Sequence, residues 1–367
     1  MRHEAAQAAY NGCRRWPSWR RCQENAGGAE DKHNNRAKNG GNPMPLTRRG
    51  LLAAGATALT IPAARAQAWP TRTLRLVVPF APGGPTDFIG RILAERLRDV
   101  LGQSVVVENR AGAGGSIGLA NVAGSPPDGY SIVLGTLGTH AITPLLIPGS
   151  GVDPAKDLVP CGMVGALPNV LVVNKSSEFK SLNSLLERAR KQPDEISCGT
   201  FGPGSSPHVV TEMFQKSAGF KALHVPYTGS GTAITALIAG QIDFLFDSIT
   251  TSVGHINGNA VRAFAVSSSK RSAVLPDVPT MKELGFPEVD YSLWLCIYAP
   301  AGTPPDILAR IQEGVRRVST DRDYVARLEE RGAERFVVPA NELQPFVAAE
   351  TQRWRGFLQQ VGIKPQQ

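Results

Sequence analysis

The chain has 367 residues with 39 Lys/Arg against 31 Asp/Glu, yet residues 1–66 hold 11 basic and 4 acidic side chains and so carry seven of the eight net positive charges. From Gln67 onward 28 basic residues face 27 acidic ones, which removes the charge argument for nucleic-acid binding. About 300 residues exceed one typical core, so two lobes are expected, and no long apolar run follows residue 66.

Residues 1–43 are polar and arginine-rich and read as a disordered extension or a wrongly assigned start. Residues 44–68 read as a twin-arginine-like signal peptide: Arg48-Arg49 precedes Leu51-Leu52 and a small, apolar run, followed by Ala64-Arg65-Ala66 and Ala66-Gln67-Ala68. Cleavage is expected after Ala66 or Ala68. The apolar run is shorter than the roughly 20 residues of a membrane span, so export to the periplasm as a soluble protein is predicted. Three cysteines follow, Cys161, Cys198 and Cys296. An odd count at wide spacing is no disulfide framework and predicts buried free thiols.

Leu74 to Val78 is a β-branched run that predicts a buried strand. It leads through Pro79-Phe80-Ala81-Pro82-Gly83-Gly84-Pro85-Thr86-Asp87 into a helix over Asp87 to Leu101 that ends at Gly102. Free N–H groups and the positive dipole end at such a helix start suit an anion. The loop has no Lys or Arg, which favours a carboxylate over a polyphosphate. An ordinary strand-to-helix connection explains the same residues. A strand at Val105 to Glu108, a helix at Ile117 to Ala123 and a strand at Tyr130 to Leu134 follow, the last ending in Gly135-Thr136-Leu137-Gly138-Thr139-His140. Alternation at this spacing predicts βαβ units and a mainly parallel sheet, with ligands beyond the carboxyl ends of the strands.

Val170 to Asn174 reads as a first crossing between lobes. The pattern then recurs: a helix over Ser181 to Lys191, a strand around Ile196 to Cys198, the cation-free loop Gly199 to His208 and a helix over Val209 to Ala218. Leu223 to Tyr227, a helix over Ala233 to Ala239, Ile242 to Phe246 ending in Asp247-Ser248, and a strand at Val261 to Val266 come next. Leu293 to Tyr298 is the crossing back, before helices near 306–318, 321–331 and 342–361 and a short strand at Phe336 to Val338. The fold class is therefore α/β, with two lobes that are each a mainly parallel sheet flanked by helices, joined by two hinge strands. Lobe 1 takes residues 69–169 and 294–367 and lobe 2 residues 170–293, a geometry suited to closing on a small ligand.

With its first strand and loop, then Val106-Val107-Glu108-Asn109-Arg110-Ala111-Gly112-Ala113-Gly114-Gly115, the sequence resembles the substrate-binding proteins of tripartite tricarboxylate transporters, the Bug family. Pro127-Asp128-Gly129-Tyr130, Ser206-Pro207-His208, His224-Val225-Pro226-Tyr227, Gly240-Gln241-Ile242-Asp243, Leu275-Pro276-Asp277-Val278-Pro279-Thr280 and Ala299-Pro300-Ala301-Gly302-Thr303-Pro304 extend the resemblance from Trp69 to the C-terminus. It implies a two-lobe periplasmic-binding-protein fold that closes on a small carboxylated solute (a di- or tricarboxylate, an amino acid or an aromatic acid) and presents it to membrane permease subunits. A monomer is expected, with no cofactor, no metal and no nucleic-acid partner. Carried residue by residue, it places Phe80, Gly83, Gly84, Asp87, Thr136 and Thr139 on one side of the ligand and Thr200, Ser205, Ser206, His208, Tyr227 and Asp247 on the other. Phe201, Pro203 and Thr228 depart from the family's usual smaller, more polar or lysine residues.

Hydroxyls and main-chain amides suit a carboxylate, since each bond to a charged acceptor contributes roughly 1.5 to 3 kcal/mol. Plainer roles compete: helix capping for Ser205 or Ser206, a first-turn structural role for His208, helix capping with loop orientation for Asp87, a core position for Tyr227. Asp87 and Asp247 would repel a carboxylate and attract an ammonium. Two other classes are weighed. A hydrolase would use Ser206, His208 and Asp247, but no G-x-S-x-G elbow surrounds Ser206, and no H-E-x-x-H or phosphate loop exists. A solute-sensing accessory that docks a membrane sensor would share every feature of a transport receptor.

Overall fold

Strand β1 (Leu74–Val78) is buried along nearly its whole length and fixes the position of everything that follows it. The computed structural model describes residues 69–147, 151–193 and 195–363. The expected leader, its arginine pair and its cleavage sites lie outside the described residues. From β1 the chain enters α1 (Pro85–Leu101), two residues earlier than the periodicity indicates, because Pro85 takes the first helical position where its missing N–H costs nothing. Gly102 ends α1 in the left-handed conformation, its N–H returning to Arg98 O. Strand β2 (Val105–Asn109), α2 (Ser116–Ala123) and β3 (Ser131–Thr136) follow, and β2 and β3 flank β1 in parallel. Leu74, Leu76 and Val78 pack with Ile89, Leu93 and Leu97 of α1, while Val77 faces Leu119 and Val122 of α2, the two-sided burial of a parallel strand.

A wide π-helical turn (Gly138–Ile142) leads through the short helices α3 (Thr143–Leu146) and α4 (Pro154–Asp157) into β4 (Leu158–Asn174). The sequence reading begins this strand only at Val170. Pro160, Gly162, Gly165 and Pro168 hide its first half, and the structure accommodates them with register shifts at Pro160/Gly162 and Met163/Gly165. Up to Pro168, β4 pairs with β9 (Ser292–Pro300); from Asn169 onward it pairs with other strands, so it passes from one sheet to the other at that junction.

In the second sheet α5 (Leu182–Lys191) starts at a reciprocal Ser181/Ser184 capping box. Then come β5 (Ser197–Thr200), α6 (Ser206–Ala218), β6 (Leu223–Pro226), α7 (Ser230–Ile238), β7 (Phe244–Ser248), α8 (Ile249–Asn257) and β8 (Val261–Val266). Strand β5 pairs in parallel with β6 and β7, and β4 adds antiparallel contacts to β7 and β8. Each sheet thus has three parallel strands joined through helices, and antiparallel pairing comes from the long strands. The sequence reading misses α8 altogether, because Ile249, Thr250, Thr251, Ser252 and Val253 are poor helix formers. Packing of Ile249 into the core overrides that preference.

After β9, helices α9 (Pro305–Ser319), α10 (Arg322–Glu329) and α11 (Leu343–Val361) cover the first sheet and the junction. The expected strand at Phe336 to Val338 does not form. Only Glu334 bridges Ala166, and the irregularity at Gly165 turns β4 away before the ladder can extend. Cys161, Cys198 and Cys296 are buried free thiols. Among the described residues no helix is long and apolar enough to cross a membrane.

Candidate functional site

Asp87, on the first turn of α1, organises the loop that precedes it. Its carboxylate accepts from Gly83 N–H (2.9 Å), Arg91 Nε (2.9 Å) and Asn109 Nδ2 (2.9 Å). Asn109 Nδ2 also donates to Phe80 O (3.0 Å), tying the end of β2 to the start of the loop. Gly83 adopts φ +83°, which a side chain would strain. Burial pushes the Asp87 carboxyl up, but bonds from Arg91, Gly83 and Asn109 outweigh it and hold the group below its ordinary 3.8. Asp87 is therefore neither a helix cap nor a free charge: Gly84 is the N-cap, and Arg91 offsets the carboxylate. The first-turn N–H groups of α1, without intrahelical partners as at every helix start, stay available to an anion.

Beside this loop, the end of β3 closes into a reciprocal hydroxyl turn. Thr136 N–H donates to Thr139 Oγ1 (2.9 Å) and Thr139 N–H to Thr136 Oγ1 (3.2 Å); Thr139 Oγ1 also lies 3.0 Å from His140 Nδ1. Both threonines are buried. Gly115 lies where the two pieces converge, since a Cβ there would sit 2.5 Å from Thr139 Cγ2 and 3.6 Å from Phe80 Cζ. The glycine-rich run after β2 thus serves as close packing between the Phe80 loop and the Thr139 turn.

The second sheet supplies a matching turn. Thr200 ends β5 and its carbonyl accepts from Tyr227 N–H (2.7 Å). Ser205 Oγ donates to Gly202 O (2.6 Å) and accepts from Phe201 N–H (3.1 Å), whereas Ser206 Oγ donates to Asn169 Oδ1 (2.7 Å) at the junction of β4. His208 Nδ1 accepts from Gly204 N–H (3.0 Å); burial, together with the nearby His224, lowers its pKa to about 4 and leaves it neutral at pH 7. Helix α6 starts at Ser206, so Ser206 and His208 stand on its first turn rather than in the loop. Asp247 is fully buried, its carboxylate taken by Ser230 Oγ (2.7 and 2.8 Å) and Ser252 Oγ (2.8 Å). Burial raises its pKa despite those bonds. Its role is to hold the start of α7 against the end of β7.

The turns of the two sheets approach each other. A Cβ on Gly204 would lie 2.9 Å from Leu146 Cδ1 and 3.1 Å from Ile142 Cγ2, just beyond the Thr136–His140 turn. An open cavity of about 510 Å³ is lined by Phe201, Gly202, Pro226, Tyr227, Thr228 and Thr232. Of the expected residues only Tyr227 lines it; Thr200 and Ser205 border it through Phe201 and Gly202. A cavity of about 560 Å³ between α3, the start of β4 and α11 shares only His140 with the turns. Both cavities have mainly apolar walls; the larger one is lined at the start of α4 by Asp153, whose carboxylate already accepts from Ala155 N–H, whereas the smaller one is lined by the Phe201–Gly202 turn and by Thr228 and Thr232. Sequence reasoning missed Asn109, Asn169, Thr228 and Thr232. The expected helix start at Ala233 hid Thr232, which the true start at Ser230 brings to the cavity, while Asn109 and Asn169 act through contacts 22 and 37 residues away in sequence. The clustered side chains with metal-ligating atoms among the described residues are His208, Glu212 and His224.

The family model described as tripartite tricarboxylate transporter family receptor matches residues 89–363. The protein BugT of Bordetella pertussis is 37% identical over 300 residues, 82% of this chain and 92% of BugT. Among solved structures, R. palustris Rpa4515 with adipate superposes with a TM-score of 0.77 at 36% identity, covering 81% of this chain and all of that one. MatC from Rhodopseudomonas palustris with bound malate gives 0.71 at 32% identity over 78% of this chain and 99% of that one.

Proposed function

Because the chain belongs to the family of tripartite tricarboxylate transporter receptors, we propose that it is an extracytoplasmic receptor that closes on a small dicarboxylate and delivers it to membrane permease subunits. The family is one of receptors rather than enzymes, which sets the hydrolase reading aside. The observation that carries the proposal is the pair of helix-start turns, one per sheet, with Gly204 of one against Ile142 and Leu146, which follow the Thr136–His140 turn of the other. Main-chain amides of Gly84, Thr86 and Asp87 at the start of α1 take one carboxylate; the Gly202 amide of the Phe201–Ser205 turn, with Thr228 and Thr232, takes the other.

Neutral donors suffice for such a ligand. Micromolar affinity needs about 8 kcal/mol net, and several bonds to charged acceptors of roughly 1.5 to 3 kcal/mol each reach that once ordering costs are met. In this reading Asp87, Ser205, Ser206 and Asp247 position the turns instead of touching the solute, since their side-chain polar atoms are already engaged. The adipate and malate held by the two neighbours guide the choice of probes.

Isothermal titration of the purified protein with malate, succinate, adipate, citrate and the diamide of adipate tests the proposal. At least one dicarboxylate is expected to bind at micromolar Kd or tighter, and the diamide, which has no charged acceptor, is expected to give no heat. Equal binding of acid and diamide, or silence toward every acid, would refute it.

A further inference from the structure

Immediately behind the Phe201–Ser205 turn, His208 and Glu212 of α6 and His224 of β6 bring one ligating atom each within 4.8 Å of one another. A spacing of four sets His208 and Glu212 on one helix face, and the chain, capped at Gly219, returns along β6 to lay His224 over that face. The two imidazoles stand edge to face with centroids 5.0 Å apart. His224 Nε2 lies 2.7 Å from Glu212 Oε1 and 3.0 Å from Gln215 Nε2. Gln215 is fixed by Ala222 N–H, which donates to its Oε1 (2.6 Å), so its NH2 group must face His224 and Glu212 (3.2 Å).

One imidazole nitrogen cannot donate to a carboxylate and accept from an amide at the same time. A cation that takes the lone pairs of His224 Nε2 and Glu212 resolves the conflict. Gln215 then has a single acceptor, Glu212, and becomes the outer hydrogen bond that orients a ligating carboxylate. We propose that His208, Glu212 and His224 form a binding site for a late first-row divalent cation such as zinc or nickel, with water in the remaining positions. Two imidazoles and a carboxylate suit that class of metal, and the partial exposure of His224 and Glu212, 24% and 22%, leaves a path for it.

The site is coupled to the neighbouring turn. His208 Nδ1 accepts from Gly204 N–H, which leaves Nε2 for a metal. A ligating neutral imidazole must carry its proton on the other nitrogen, and a protonated Nδ1 cannot accept from Gly204. Loading the site therefore releases Gly204, so that metal and solute affinities change together.

Untagged, chelator-treated protein titrated with Co²⁺, then with Zn²⁺ against a chromophoric chelator, tests this, using wild type, Glu212→Gln and His224→Asn. Wild type is expected to bind one equivalent more than either variant, or the variants to bind at least about tenfold more weakly. The difference spectrum should show d–d bands without thiolate charge transfer, which separates this site from the two cysteines of residues 1–43, Cys13 and Cys22. Equal binding by all three proteins, or a difference spectrum dominated by thiolate bands, would overturn the proposal. Should either variant lose its native near-ultraviolet dichroism, wild type alone decides through NMR. One equivalent of Co²⁺ should broaden the ring signals of His208 and His224 before those of His140 and His255, and the reverse order would overturn the proposal.

Discussion

Asp87→Asn should weaken dicarboxylate binding by tenfold or more, about 1.4 kcal/mol, and lower folding stability by about 2 kcal/mol. Three donors, Gly83 N–H, Arg91 Nε and Asn109 Nδ2, converge on the two carboxylate oxygens. An amide of the same shape turns its NH2 group against at least one of them, so a donor faces a donor in a group only 3% exposed. It also leaves Arg91 without its counter-charge. The loop that presents the α1 N–H groups loses its anchor, although no contact to solute has been removed. Titration calorimetry and urea unfolding of the two proteins measure both effects. Unchanged affinity with reduced stability would show that the loop does not contact the solute.

The second large effect is acid lability at the other turn. A buried, neutral His208 titrates near 4 in the folded protein against 6.5 unfolded. A lowered folded pKa for a base means that the unfolded chain takes up the proton first, so stability is fully present above pH 6.5 and falls as the pH drops toward 4. Between pH 7.5 and 5 this single group should remove roughly 2 kcal/mol. His140, which burial lowers to about 3, acts in the same direction, while Asp247, raised by burial, acts in the opposite one. The clean measurement is therefore a difference. His208→Gln, whose amide can still accept from Gly204 N–H, should show roughly 2 kcal/mol less loss over that interval than wild type in urea melts. Identical pH profiles for the two proteins would contradict this account of the turn.

The parts of this architecture written locally were legible in the sequence. Leu74 to Val78 carries its own β-branched signal, α1 its apolar period and terminating Gly102, and the glycine turns mark the ends of β1, β3 and β5. What stayed hidden depends on partners distant along the chain. The first half of β4 carries two prolines and two glycines that local propensity reads as a loop, and only pairing with β9, more than 120 residues later, makes it a strand. Asp247 was a plausible ligand from its place at the end of β7, but Ser230 and Ser252 close over it only in the fold. Ser206 likewise reads as a ligand hydroxyl or a helix cap from its loop, whereas in the fold its Oγ donates to Asn169 Oδ1. Residues that position the turns are thus harder to read than the turns themselves, because a turn is a local event and its support is not.

The central claim is that neutral donors from two facing turns grip the acid groups of one solute. A crystal structure with adipate measures this most directly. The account predicts one carboxylate within hydrogen-bond distance of the main-chain N–H groups at the start of α1 and the other at the Phe201–Ser205 turn with Thr228 and Thr232. Adipate held by a lysine or arginine side chain, or seated in the cavity beside α11, would contradict it.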